Sequence, residues 1–404
     1  MRNKNSCNKY DRFLIFLISS LAFGNLGGDL QLSRLLGIIL TPMMIVRIKQ
    51  CKYVSWFLVT FVLFYGYALL SIMWTPDKTQ GGKELVYFLV HFMIFFEILV
   101  FSHFAKNPLK SISTGWIVAV GLTLIVAMWE LITDNHLSIS KSESGLTSNF
   151  GNGFILEHRF AAVTFFNYNG YVAFLSFSMP FIFYKIRSGN SRNILLKNIP
   201  VVILLLSIVC ILCNGSRGGL ISTLIMAVIL IIMGRKNLLK SYQLIVFVLL
   251  AMVFVMYFGD NIFQIIIARS VDGGLTDGSS RFVIWDSVLN AVLYTIGMGT
   301  GIGGRDAVMR TFTNGNTAPH NLFLEILLEF GVLFLCIFLL FLFDLYKKAK
   351  RQTDRDRKIL LYMALFAMPV YCIINSGYLL NSYVYAAFAS LIVFANYERI
   401  KSIY

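Results

Sequence analysis

The chain has 404 residues, of which 57% are hydrophobic and only 14% charged, with a mean hydropathy of +0.72. An apolar share well above the ~45–50% of soluble domains excludes an ordinary globular protein and indicates a polytopic membrane protein. The formal net charge of +15 comes from 35 Lys and Arg against 20 Asp and Glu, and their placement reads as a membrane-topology signal that calls for no nucleic-acid partner.

Apolar runs lie near 13–28, 30–46, 54–74, 85–104, 115–133, 169–184, 199–213, 219–233, 243–258, 321–343, 359–375 and 382–396. They predict an all-α membrane protein of about twelve transmembrane helices forming a single domain over 1–404. Several runs are shorter than the ~20 residues a straight span needs, which suggests tilted or broken helices, or a locally thinned bilayer. The first run follows a basic start and resembles a signal peptide, but no small-x-small cleavage site follows it, so an uncleaved first helix is expected. Most Lys and Arg fall in the N-terminal tail and near 47–52, 106–110, 185–197, 235–240, 347–358 and 399–401. By the positive-inside rule both termini are then cytoplasmic.

Two long polar segments break the rhythm on the opposite side: a first loop over 134–168 and a large loop over 259–320, between the ninth and tenth runs. Loops of that length usually carry function. Within the second, Arg281–Thr295 reads as a helix, because Phe282, Trp285, Val288, Leu289 and Val292 recur at helical spacing, with Ser279 or Ser280 as its cap. Arg281 would then stand in the first turn, where exposed N–H groups and the helix dipole favour an anion and a guanidinium adds a two-donor fork for phosphate. The plainer reading of Arg281 is an ion pair with Asp277 or Asp286.

Arg217 sits in Asn214-Gly215-Ser216-Arg217-Gly218-Gly219, a short turn between two apolar runs. An arginine there costs a few kcal/mol unless an anion or a cavity compensates, although it could also snorkel to lipid headgroups. His320 follows Pro319 and precedes an apolar run. The dipole at a helix N-terminus keeps the imidazole neutral and able to accept a proton, while the structural alternative is a satisfied interfacial histidine.

Other motifs carry less. Cys210 and Cys213 have redox spacing without polar neighbours and read as packing. The five histidines show no zinc spacing. Asp354-Arg355-Asp356 lies in a cation-rich cytoplasmic loop, and the glycine-rich Gly299–Gly304 lacks the strand and βαβ unit of a dinucleotide fold.

Taken in order, Asn214–Gly219, Ser280-Arg281 with Trp285, Gly299–Gly304, and His320-Asn321 with Glu329-Phe330-Gly331 resemble the O-antigen polymerase and ligase superfamily. These are bacterial inner-membrane glycosyltransferases that use undecaprenyl-diphosphate-linked sugars. Asn167-Tyr168-Asn169-Gly170-Tyr171 is similar to that family's asparagine-rich start of a mid-chain span, except that Tyr168 stands where proline is common. The resemblance implies a fold similar to GT-C-type lipid-carrier glycosyltransferases, with the active site on the periplasmic face. It implies His320 as the base for the acceptor hydroxyl, Arg217 and Arg281 as ligands of the diphosphate, and no metal or other cofactor. Arg159 is a further candidate contact, with Asn169, Asn321, Glu325 and Glu329 as supporting residues. Glu325 and Glu329 share a helix face below His320, placed to orient it or to pair with a cation; without two close carboxylates, displacement with inversion is expected.

The expected partners are the lipid-linked oligosaccharide, the bilayer, and a chain-length regulator or flippase. A polymerase of repeat units is the preferred reading, a ligase onto lipid A-core the second. A flippase should carry cations deep in several spans, whereas the mid-span ionisable residues here are chiefly His91 and Glu97.

Overall fold

The computed structural model describes residues 7–140, 147–149, 155–157, 159–188, 194–234, 279–313 and 318–401. The described chain is helical apart from one small antiparallel hairpin, Thr147–Asn149 with Ile155–Glu157, in which Ser148 pairs with Leu156. Its helices are α1 (Lys9–Ser19), α2 (Leu32–Ile48), α3 (Ser55–Ser71), α4 (Lys78–Phe104), α5 (Pro108–Thr133), α6 (Tyr168–Ser188), α7 (Ile194–Cys213), α8 (Arg217–Gly234), α9 (Ser279–Tyr294), α10 (Arg305–Phe312), α11 (Leu322–Arg351), α12 (Arg355–Tyr371), α13 (Ser382–Ala395) and α14 (Tyr397–Lys401). The apolar runs coincide with helices except 243–258, which lies outside the described residues. Among the described residues five helical segments are long and apolar enough to cross a membrane: Lys52–Ser71, Lys78–Phe104, Pro108–Thr133, Arg217–Gly234 and Leu322–Arg351; Lys197–Cys213 and Ser382–Ala395 are shorter apolar helices.

α6 is the centre of the bundle, with every side chain from Gly170 to Phe183 buried. Trp116 of α5 stacks on Phe181 at 5.3 Å between ring centroids, and α8 approaches closely on another side. Gly219 makes that approach possible, since a Cβ there would stand 2.5 Å from Val172 Cγ1. Buried polar side chains mostly tie turns to helices. Asp11 accepts hydrogen bonds from the amides of Asn8, Lys106 and Asn107 and from Ser111 Oγ at 2.7–3.2 Å, so one carboxylate fixes both the start of α1 and the α4–α5 turn.

α11 is broken at Gly331, whose φ of 77° and ψ of −174° leave the helical region. The break frees two carbonyls, and the glycine-rich segment after α9 satisfies them: Thr300 N donates to Leu328 O at 2.7 Å and Gly301 N to Glu329 O at 3.1 Å, while Val332 N donates back to Gly297 O at 2.9 Å. Tyr67 Oη donates to Met298 O at 2.6 Å, Trp74 Nε1 to Gly299 O at 3.2 Å, and Ile302 N to Ser71 Oγ at 2.9 Å. The glycines of Gly297–Gly304 thus serve close packing of backbone on backbone, with much of the main chain paired where it enters the bundle.

Candidate active site

Four helix starts and one connector build the site. The segment before α6 is held by Glu130 of α5, a buried carboxylate that accepts from Ala162 N at 2.9 Å and Val163 N at 2.8 Å. The side-chain amide of Asn214 bridges to Ala161 N and O at 2.7 and 2.9 Å, stapling the Asn214–Gly219 turn to the same segment. Val163 and Phe166 hold φ values of 55° and 62°, unusual for non-glycine residues and hardest on the β-branched valine. Asn167 Oδ1 accepts from Gly170 N at 2.6 Å and starts α6, so the capping residue is Asn167; Asn169 lies in the first turn, half-buried.

Arg217 is the first residue of α8 and is exposed; Ser216 Oγ accepts from Gly219 N at 3.3 Å as that helix's cap. Arg281 stands in the first turn of α9, half-buried, and its Nη1 donates to Ile373 O at 2.8 Å. Burial weakens its cationic form and the nearby Arg217 charge does so further. Among the described residues neither arginine forms an ion pair with a carboxylate, Asp286 included, while Asp277 lies outside the described residues. Two like charges that feel each other, with no described carboxylate to balance them, suit an anion.

α9 begins at Ser279, so Ser279 is inside the helix rather than capping it. The expected apolar face is also corrected: the side packed inward is Ile284, Ser287, Val288, Ala291 and Val292, whereas Phe282 and Leu289 face outward. The reason is that α9 packs against both α10 and α11, which turns its contact face away from the simple stripe. Trp285 Nε1 donates to Pro319 O at 2.9 Å and ties α9 to the residue before His320.

His320 has a φ of 48° and precedes Asn321, whose Oδ1 accepts from Phe323 N at 2.9 Å and Leu324 N at 3.4 Å as the cap of α11. Burial, and then the Arg281 charge, push the His320 imidazole down to about 4, so the ring is neutral near pH 7. Its Nδ1 is buried and has no hydrogen-bond partner among the described residues. Glu325 does not reach His320: its carboxylate accepts from Gly377 N at 2.6 Å and Leu379 N at 3.3 Å. Glu329 instead faces a cation, with Arg305 Nη1 at 3.7 Å from its Oε1. Burial opposes the Arg305 charge, but the carboxylates of Glu329, Glu325 and Glu84 outweigh it and hold the guanidinium cationic. Arg159 Nη1 donates to the carbonyls of Leu131 and Ile132 at 3.2 and 3.0 Å, at the end of α5. His158 lies outside the described residues.

The sequence reading missed the connector from Cys372 to Asn381. It supplies Ile373 O to Arg281 and Cys372 O to Leu322 N at 3.0 Å, and places Asn375, nearly buried, beside Gly170. Its only trace in sequence is the polar Asn375-Ser376-Gly377 between two apolar runs. Arg34 was also passed over; it lies in the first turn of α2 and donates through Nε to His91 Nε2 at 3.2 Å. Asp354 caps α12, accepting from Arg357 N at 2.8 Å, and Asp356 pairs with Arg187 at 2.7 Å, so that acidic pair serves the fold. Among the described residues no three His, Cys, Asp or Glu stand together as metal ligands.

Residues 202–339, which include Arg217, Arg281 and His320, match the family model described as O-Antigen ligase. That segment is similar to the family over less than half of the chain. The chain is 24% identical over 357 residues to the teichuronic acid biosynthesis protein TuaE of Bacillus subtilis (strain 168), covering 84% of this chain and 71% of that protein. It is 25% identical over 339 residues to the ComP-specific O-oligosaccharyltransferase of Acinetobacter baylyi, covering 79% of this chain but 57% of that relative. The likeness to both relatives extends over most of this chain and overlaps the family-matched segment.

Proposed function

We propose that the protein is a glycan polymerase that joins undecaprenyl-diphosphate-linked repeat units on the outer face of the cytoplasmic membrane. The observation that carries this reading is the pair of arginines, Arg217 and Arg281, that have no carboxylate partner among the described residues, near a neutral His320. The diphosphate of the donor sits between the two guanidiniums and the first turns of α8 and α9, where the helix dipoles add to the positive field. A nitrogen of His320 takes the proton of the acceptor hydroxyl. The freed oxygen attacks the anomeric carbon of the donor sugar, and the carbon–oxygen bond to the carrier breaks with its electron pair leaving on undecaprenyl diphosphate. The arginines stabilise that developing charge and so supply what a divalent ion would otherwise provide. One displacement gives inversion. Asn169 and Asn321 border the site, and Arg159, already engaged at the end of α5, is its outlying contact.

The names of the two relatives support glycan work of two kinds, one a biosynthesis and the other an oligosaccharyl transfer. The second reading is therefore a ligase that moves finished glycan to a different acceptor. The test uses purified full-length protein in vesicles with a single undecaprenyl-diphosphate oligosaccharide and a chelator. A ladder of longer lipid-linked products supports the polymerase. Transfer seen only after lipid A-core is added supports the ligase, and no transfer in either case overturns both.

A further inference from the structure

α9 ends in an apolar tip that nothing among the described residues covers. Its inward residues close a small core with Met309 of α10 and with Leu327 and Leu328 of α11. Its outward side is polar midway, where exposed Asp286 and Asn290 hydrogen-bond to each other between Phe282 and Leu293, but from Leu293 the chain continues apolar through Tyr294, Ile296 and Met298. Leu293 is 75% exposed and Ile296 89%. An exposed apolar end of this kind marks a contact surface.

Ile296 adds an independent observation. Its φ is 51°, a region that β-branched residues avoid, and the strain is spent on presenting an isoleucine outward. The backbone on either side explains how it is held: the carbonyls of Gly297, Met298 and Gly299 are taken by Val332 N, Tyr67 Oη and Trp74 Nε1. Tyr67 and Trp74 stand at the end of α3, whose segment is apolar and long enough to span. Aromatic residues with a polar tip at such an end mark the membrane–water boundary. Next to this tip, Leu70 and Met73 at the end of α3 and Val332 and Leu333 of α11 are exposed, so the C-terminal end of α9 is continuous with the lipid-facing sides of two spans.

We infer that the C-terminal end of α9, from Leu293, and the Ile296–Met298 tip are a membrane-contact surface, inserted among the acyl chains of the outer leaflet. The occupant is phospholipid, because the patch joins lipid-facing surface at its edge. α9 is about 24 Å long at 1.5 Å per residue, so the helix that carries Arg281 at its start is anchored in lipid at its other end.

The test uses the full chain in nanodiscs of phosphatidylethanolamine and phosphatidylglycerol. Exposed Cys7 and Cys336 are replaced by Ser, leaving four buried cysteines, and nitroxide labels are placed singly through Leu293→Cys, Ile296→Cys and, on exposed Thr311 of α10, Thr311→Cys. At 293 and 296 collision with oxygen should exceed collision with a water-soluble nickel chelate several-fold, with the reverse at 311. Nickel access exceeding oxygen at 293 and 296 would mean the patch faces water and overturns the inference. An immobile label shielded from both would mean protein covers it, whether another segment or a second copy, and overturns it too. Oxygen excess at 311 as well would show that the contact is not confined to this face, with the same consequence.

Discussion

Arg281 donates through Nη1 to the carbonyl of Ile373 at 2.8 Å, which binds the start of α9 to the connector between α12 and α13. One arm of the guanidinium is thereby fixed in place, while among the described residues the rest of the fork meets no other hydrogen-bond acceptor. A side chain anchored in this way presents its remaining donors in a set direction, which is what recognition of a diphosphate requires.

Arg217→Ala and Arg281→Ala should each lower transfer at least a hundredfold while leaving folded yield unchanged, since losing a charge-assisted contact to a developing anion costs about 3 kcal/mol or more. Arg281→Lys should recover little, because an ammonium cannot hold Ile373 O and a phosphate with one planar fork. Normal product from both alanine variants would make the arginines structural.

Glu325→Leu should damage the site from one helical turn away. It strands the amides of Gly377 and Leu379, each buried donor left unpaired costing about 1–3 kcal/mol, and it loosens the connector that holds Arg281. Glu325→Gln keeps an acceptor oxygen and should be milder in both respects. Thermal unfolding in detergent and the Michaelis constant for the lipid-linked donor are the measurements, and equal behaviour of the two variants would remove the connector argument.

Gly331→Ala should be strongly destabilising. A Cβ there would lie 2.1 Å from Gly297 O, at a φ of 77°, in the place where the glycine-rich segment is stitched into α11. Strained backbone alone costs about 1–3 kcal/mol and the clash adds to it. Gly66→Ala, where nothing lies within 4 Å, is the control and should cost nothing.

How much of this was legible in sequence follows from what each feature depends on. The helices were readable because apolar runs are local, and Arg217, Arg281 and His320 stood out because cations interrupting such runs are expensive. The register of α9 was not readable, since Val288 and Leu289 are equally apolar and only packing against α10 and α11 decides which turns inward. The roles of Glu325 and Glu329 were also out of reach. They share a helix face, yet one meets the amides of Gly377 and Leu379 and the other meets Arg305, and both partners come from elsewhere in the chain. The break at Gly331 gave no local sign, because a single glycine in an apolar run is common.

The acidity of His320 sets a pH dependence. Its ring is pushed down to about 4 by burial and by Arg281, against about 6.5 for a free histidine. The acid limb of kcat/KM should therefore have its midpoint near pH 4 to 5. The limb of kcat should lie higher, because bound diphosphate offsets the Arg281 charge and favours the imidazolium. Between about 6.5 and 4 the unfolded chain binds the proton more readily than the folded one, so the contribution of His320 to stability is full above that window and is lost as pH falls through it. An acid limb at 6.5 or above in kcat/KM would mean the ring is exposed in the working enzyme.

The sharpest test of His320 is its replacement by Gln. If the imidazole takes the acceptor proton, His320→Ala and His320→Gln should both lower transfer by about a hundredfold to ten-thousandfold, the usual contribution of a general base. Glutamine fills similar space and can still hydrogen-bond, but it cannot accept the proton. Donor binding should survive in both variants, because Arg217 and Arg281 are untouched, and this separates loss of the base from loss of the site. The measurement pairs product formation with direct binding of the lipid-linked donor to purified protein in vesicles. Loss of donor binding in His320→Gln would assign His320 to holding substrate, and full transfer by that variant would remove it from the chemistry.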